Sequence, residues 1–131
     1  VRGLLLDTHV WLWYLLGDQH LRPRMRKLID SSAGDCWISP ITIWETGMLV
    51  ARRKFSVGEP FRSWVESSRR RLPFRQAPLN EAIALEVFDL DLAHPDPADR
   101  FLAATARVYD LKLLTADRKL LESAAVPTLA A

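Results

Sequence analysis

The sequence holds one cysteine, Cys36, so no internal disulfide can form and the fold must rest on its hydrophobic core. No apolar run approaches the roughly 20 residues needed to cross a bilayer. The run Leu4-Leu5-Leu6 is cut at once by Asp7, unlike the core of a signal peptide. These absences give the expectation of a soluble protein with no membrane partner, in a reducing, cytoplasmic compartment. Internal repeats, low-complexity stretches and long linkers are also missing, which leaves one domain over residues 1–131. His9, His20 and His94 are scattered, and neither they nor Cys36 has zinc-ligand spacing.

What is present suits an ordinary globular domain: 49% hydrophobic and 26% charged residues exclude a disordered tail or a collagen-like repeat. A chain of this length buries roughly two-thirds of its unfolded surface, enough for a core without staples. The formal charge of +2 says little about partners, but its distribution says more. Arginine outnumbers lysine 14 to 4, and the bases come in runs: Arg22, Arg24, Arg26 and Lys27; Arg52, Arg53 and Lys54; Arg69, Arg70 and Arg71. The planar guanidinium suits phosphate, although each run alone reads first as a solvated helix face or a helix end answering the macrodipole.

The apolar stretch 3–8 reads as a buried strand feeding a helix that Gly17 stops. Pro23 opens a second helix to about Asp30, and 36–39 forms a second strand. Ser39-Pro40 caps a helix to about Lys54, and Gly58-Glu59-Pro60 starts another that Pro73 ends. A short extended segment at 74–79 precedes an Asn80-capped helix over 81–90. Asp96-Pro97 caps a helix to Tyr109, 112–115 is a strand, 117–124 is a short helix, and 127–129 can add an edge strand. This alternation predicts an α/β fold, a three-layer α/β/α sandwich around a mostly parallel sheet of four or five strands. Ligands of such sheets bind beyond the carboxyl ends of the strands, the rim on which Asp7 and Asp117 fall.

Two further carboxylates stand on stripes that should be apolar. At 100° per residue, Glu45 falls among Ile41, Trp44, Met48 and Leu49, and Asp99 falls between Ala103 and Ala106. A buried, unpaired carboxylate costs several kcal/mol. Each acid has a plainer reading: Glu45 pairs with an arginine, Asp99 answers the helix dipole, and Asp7 and Asp117 cap helices. Asp96, directly before Pro97, reads first as an N-cap. A single shared site explains all four together. Two such charges about 5 Å apart repel by about 3 kcal/mol at an effective dielectric near 20, so the cluster needs protons or a hard cation. Oxygen-only ligands favour Mg²⁺ or Mn²⁺, which polarises phosphate and activates water. The tryptophans Trp11, Trp13, Trp44 and Trp64 read as packing residues, with a partner groove a second reading for Trp11 and Trp13.

Four segments in order, Leu4-Leu5-Leu6-Asp7-Thr8-His9, Ser39-Pro40-Ile41-Thr42-Ile43-Trp44-Glu45, the stretch Asp96-Pro97-Ala98-Asp99-Arg100-Phe101-Leu102-Ala103-Ala104-Thr105-Ala106, and Leu113-Leu114-Thr115-Ala116-Asp117, resemble the PIN-domain ribonucleases. Within these they look like the VapC toxins of type II (VapBC) toxin–antitoxin modules. The resemblance implies Mg²⁺- or Mn²⁺-dependent hydrolysis of RNA by Asp7, Glu45, Asp99 and Asp117, with Asp7 and Asp99 the surest metal contacts. It implies Thr8, Thr115 and Asp96 as supporting residues, and a homodimer neutralised by a cognate antitoxin. Arg22, Arg24, Arg26, Lys27, Arg52, Arg53 and Lys54 would then hold the RNA backbone. Two rival readings are a Mg²⁺-binding, receiver-like signalling module and a PIN scaffold that only binds RNA or a partner. Against the receiver stand the lack of an adjacent acidic pair after the first strand and of a strand-end lysine near the C-terminus.

Overall fold

The computed structural model describes residues 3–131; Val1 and Arg2, the first two residues of the expected 1–131 domain, lie outside the described residues. The chain runs β1 (Gly3–Leu6), α1 (Thr8–Leu16), α2 (Pro23–Ser31), a 3₁₀ turn at Ala33–Asp35, β2 (Cys36–Ile38), α3 (Pro40–Ala51), α4 (Phe61–Arg71) and β3 (Arg75–Gln76). It continues through α5 (Glu81–Asp89), α6 (Pro97–Val108), β4 (Leu111–Thr115), α7 (Arg118–Glu122) and β5 (Thr128–Ala130). All strand pairs are parallel, in the order β3-β2-β1-β4-β5. The expected α/β architecture is therefore found, with five strands.

Alternation along the strands sorts the core onto two faces. Leu5, Leu111 and Leu113 join α5 and α6 in one buried cluster; Leu4, Leu6 and Leu114 join α1, α2 and Ile38 in the other. The chain builds outward from β1 through β2 to β3, then returns to lay β4 on the other side of β1, with Leu6 opposite Leu114. This reversal makes the carboxyl ends of β1 and β4 a topological switch point, where open α/β sheets bind ligands.

Local chemistry sets the helix ends. Gly17 stops α1 with φ 65°, its N–H reaching the Trp13 and Tyr14 carbonyls. Ser39 accepts the Ile41 N–H at 3.0 Å, and Asn80 accepts that of Ile83 at 3.1 Å. The helix expected to reach Lys54 ends at Ala51, because Arg53 turns left-handed (φ 59°) and the Lys54 N–H closes back on the Leu49 carbonyl at 2.8 Å. The expected apolar stripe of α3 is also corrected. The fully buried residues of this helix are Thr42 and Thr46, while Trp44 is 58% exposed. The helix packs chiefly on α1, α6 and α4, where small hydroxyl residues allow close approach.

β1 runs so close to the turn before β2 that a Cβ on Gly3 would lie 2.3 Å from the Asp35 carbonyl oxygen, a backbone atom that cannot swing away. Gly3→Ala is expected to destabilise the fold by about 1–3 kcal/mol. Thermal unfolding followed by circular dichroism should show a melting point lower by several degrees, and an unchanged one would contradict this approach of the strands.

Candidate active site

Four elements deliver the four predicted acids to the switch point. Asp7 follows β1 and is the N-cap of α1, with its N–H bonded to the Leu114 carbonyl of β4 at 3.0 Å. Asp117 follows β4 and caps α7, its Oδ1 accepting the Leu120 N–H at 3.0 Å. Glu45 projects from α3, and Asp99 stands in the first turn of α6 among its buried residues. The azimuth expected for Asp99 is the one observed. Carboxylate oxygens of Asp7, Glu45 and Asp99 all lie within 4.8 Å of one another.

Each acid has its own holder. Asp7 accepts the Thr8 N–H on Oδ1 at 2.7 Å and the Thr115 hydroxyl on Oδ2 at 2.6 Å. The Thr8 hydroxyl donates to Glu45 Oε1 and lies 3.4 Å from Thr42 Oγ1. Thr115 in turn accepts the Asp117 N–H at 3.0 Å. Asp96 caps α6 by accepting the Ala98 N–H at 2.9 Å, the role its sequence context gives first. Among the described residues no lysine or arginine forms an ion pair with these acids; the cation-capable partner they meet is His94.

His94 is a member of this site that the sequence reading set aside. It is 8% exposed, in the segment between α5 and α6, with Nε2 3.3 Å from Asp99 Oδ2 and 3.2 Å from Asp117 Oδ2. Leu90 and Leu92 anchor that segment in the core, and Arg100 holds it by donating to the Val87 and Leu92 carbonyls. The partners of His94 lie beyond helical or strand spacing, so no local periodicity reveals them. The only hint is its place two residues before the Asp96 cap.

Burial sets the charge states. It pushes the Asp7 and Glu45 carboxyls up, against the pull of their threonine hydrogen bonds. Asp99 is pushed up to about 8 by burial first, then by Asp7, Asp96, Glu45 and Asp117. Asp117 goes the other way: its burial is outweighed by the Leu120 N–H and by His94. Carboxyl oxygens gathered at this spacing, with no lysine or arginine ion-paired to them among the described residues, are a donor set that fits a hard divalent cation.

The acids open on a cleft of about 360 Å³ whose wall includes His9, Trp13 and Ala116. Trp13 stacks on His20 at 5.4 Å, whereas Trp11 is buried edge-on against Trp64. Arg52 lines an adjoining cleft together with Glu45 and Asp96. Arg24, Lys27, Arg53 and Lys54 are exposed. Arg22 donates to the Ala130 and Ala131 carbonyls, and Arg26 to those of Trp13 and Tyr14, so these two guanidiniums tie the chain to itself. Beside the acids, Ile41, Trp44, Leu79 and Phe101 line an apolar groove of about 430 Å³.

Comparison with known proteins agrees with this fold. A family model, the PIN domain, matches residues 4–126. Ribonuclease VapC22 of Mycobacterium tuberculosis is 28% identical over 118 residues, covering 89% of this chain and 88% of that protein. Among solved structures, DNA-bound VapBC from Salmonella typhimurium superposes with a TM-score of 0.72 at 19% identity, covering 99% of this chain and 98% of that one. FitAcB from Neisseria gonorrhoeae gives 0.67 at 26% identity, covering 96% of each chain.

The raised carboxyl of Asp99 has a consequence for stability with a definite sign. The folded chain holds a proton there that the unfolded chain releases near the ordinary value of 3.8. Without metal, stability therefore falls as pH rises between about 4 and about 8. The lowered Asp117 acts only below this window. Urea unfolding in the presence of a chelator should show the fall. Asp99→Asn should make it shallower, with the raised Asp7 and Glu45 keeping a remainder of the same sign, and saturating Mn²⁺ should reverse it by favouring the ionised acids. A wild-type profile as shallow as that of Asp99→Asn would refute this account of Asp99.

Proposed function

The chain belongs to the PIN-domain family, and from that premise we propose that it is a metal-dependent endoribonuclease acting as the toxin of a type II toxin–antitoxin pair. The observation that carries this reading is the convergence of Asp7, Glu45, Asp99 and Asp117 from four separate elements on one cleft that, among the described residues, is lined by no lysine or arginine. The likeness to Ribonuclease VapC22 along most of both chains supports RNA as the substrate. The receiver-like alternative falls with the family match.

Asp7, Glu45 and Asp99 would hold the cation, with Asp117 completing the pocket. A bound Mg²⁺ or Mn²⁺ would supply charge for the phosphate and acidity for a water molecule. The chain's own part is to fix directions. Thr8 and Thr115 engage both oxygens of Asp7, so its carboxylate has one orientation. The Thr8 hydroxyl ties Glu45 to the start of α1, so the two acids move as a unit. The α7 cap holds Asp117 anionic at the rim. Arg52, beside Glu45, and the exposed Arg24, Lys27, Arg53 and Lys54 would bind the RNA backbone that the acids repel.

Protein partners are part of the same proposal. The solved neighbours include toxin–antitoxin complexes, and the apolar groove around Trp44 is the kind of exposed surface that marks a protein contact. A second copy of the chain and a cognate antitoxin are the partners proposed, in the cytoplasm. Among the described residues no helix is long and apolar enough to cross a membrane.

Purified protein is expected to cleave single-stranded RNA with Mg²⁺ or Mn²⁺ and not after chelation. Asp7→Asn and Asp99→Asn, still folded by circular dichroism, should each lose about a hundredfold or more of the rate, since even residues that only orient ligands cost about 10–100-fold. Cleavage unchanged in both variants would sink the assignment. Metal binding with no cleavage of any RNA would favour the non-catalytic scaffold.

A further inference from the structure

The acids form two groups that could each take a cation, and they share Asp99: Asp7, Glu45 and Asp99 on one side, His94, Asp99 and Asp117 on the other. The hydrogen bonds of His94 distinguish them. Its Nδ1 accepts the backbone N–H of Asp96 at 3.1 Å, a donor fixed in place because Asp96 begins α6. An imidazole nitrogen that accepts carries no proton, so in the neutral ring the proton sits on Nε2. That N–H lies in hydrogen-bond contact with Asp117 Oδ2 at 3.2 Å, and Asp99 Oδ2 is 3.3 Å from the same nitrogen. Nε2 therefore has no lone pair to give a metal. Ligation would need the proton on Nδ1, directly against the Asp96 N–H.

Resting on the metal-nuclease reading above, we propose that His94 is a positioning residue and not a metal ligand: its Nε2–H donates to Asp117 beside Asp99, fills the second group itself, and leaves Asp7, Glu45 and Asp99 as the oxygen-only cation site. The ring stands against both the α6 acid and the one after β4, hydrogen-bonded to Asp117 and in ion-pair range of Asp99. The arrangement has the logic of a ligand-orienting contact, in which an N–H fixes a carboxylate so that its remaining lone pairs face the ion.

The test begins on the metal-free wild-type protein, labelled with ¹⁵N and held in mildly alkaline buffer. Two-bond ¹H–¹⁵N spectra should show His94 with a protonated, pyrrole-like Nε2 and a pyridine-like Nδ1, and titration with Mg²⁺ or Zn²⁺ should leave that pattern in place. A proton on Nδ1, or loss of the Nε2 proton as metal binds, would overturn the proposal whether or not the protein cleaves RNA. The variants then separate positioning from bulk. His94→Gln can place an amide N–H near the Nε2 position, and His94→Asn cannot reach it. Cleavage by His94→Gln should stay within about threefold of wild type, while His94→Asn and His94→Ala should fall by about 10–100-fold, with Mn²⁺ still bound. Equal loss in Gln and Asn variants, or loss of the ion in both, would also overturn it. Absence of cleavage in the wild type would count against the nuclease reading and leave the tautomer result to decide this one.

Discussion

Mutual repulsion among half-buried carboxylates is the constraint on which the site depends. Asp7, Glu45 and Asp99 place oxygens within 4.8 Å of one another, and Asp117 adds to the field that raises Asp99. Each close pair of charges costs about 3 kcal/mol at an effective dielectric near 20. A hydrogen bond to a charged group returns only about 1.5–3 kcal/mol. The threonine hydroxyls and helix N-termini around the cleft can therefore aim the acids but cannot neutralise them all. What remains is met by a proton on Asp99 or by a cation. The same imbalance sets the cluster apart from a structural ion-pair network, since no arginine or lysine among the described residues forms an ion pair that relieves it.

Much of the secondary structure around the site follows from that need for aim. Three acids serve as N-caps: Asp7 for α1, Asp96 for α6 and Asp117 for α7. A cap is a good place for a working carboxylate. One oxygen is committed to the helix N–H, which removes side-chain freedom, and the helix dipole favours the charge. The choice between capping and shared-site roles that the sequence left open thus dissolves for Asp7 and Asp117, because the caps are what orient them. Glu45 and Asp99 are held differently, by the faces of α3 and α6, and those faces meet only because β4 returns beside β1.

The parts of the fold that were legible in the sequence are those with local causes. The Leu4-Leu5-Leu6 and Leu111–Thr115 strands, the Ser39, Asn80 and Asp96 caps, and the buried side of α6 all follow from spacing and short-range hydrogen bonding. Reading went astray where a partner distant in the chain decides. The apolar arc of α3 suggests a core face, but the fully buried residues of this helix are Thr42 and Thr46, and Trp44 is left lining the groove. His94 looked like a lone histidine because Asp99 and Asp117 lie where no repeat pattern points. The end of α3 shows a third case. Nothing in Arg52-Arg53-Lys54 announces a left-handed arginine, yet with that turn α3 ends at Ala51.

The basic runs show how charge in a sequence and charge on a surface come apart. Arg22 and Arg26 stand in one run with Arg24 and Lys27, but their forks engage the C-terminal carbonyls and the end of α1. Arg26 also lies over the Tyr14 ring at 5.2 Å. A guanidinium fixed on carbonyl oxygens still contributes its field, but it has fewer N–H groups left for phosphate. The exposed bases of these runs without such a carbonyl bond among the described residues are Arg24, Lys27, Arg52, Arg53 and Lys54, and of these Arg52 lines the wall beside Glu45. Positive charge thus stands beside the carboxylates on the α3 side. A cleft so flanked can attract a polyanion and still keep its own negative charge for a cation.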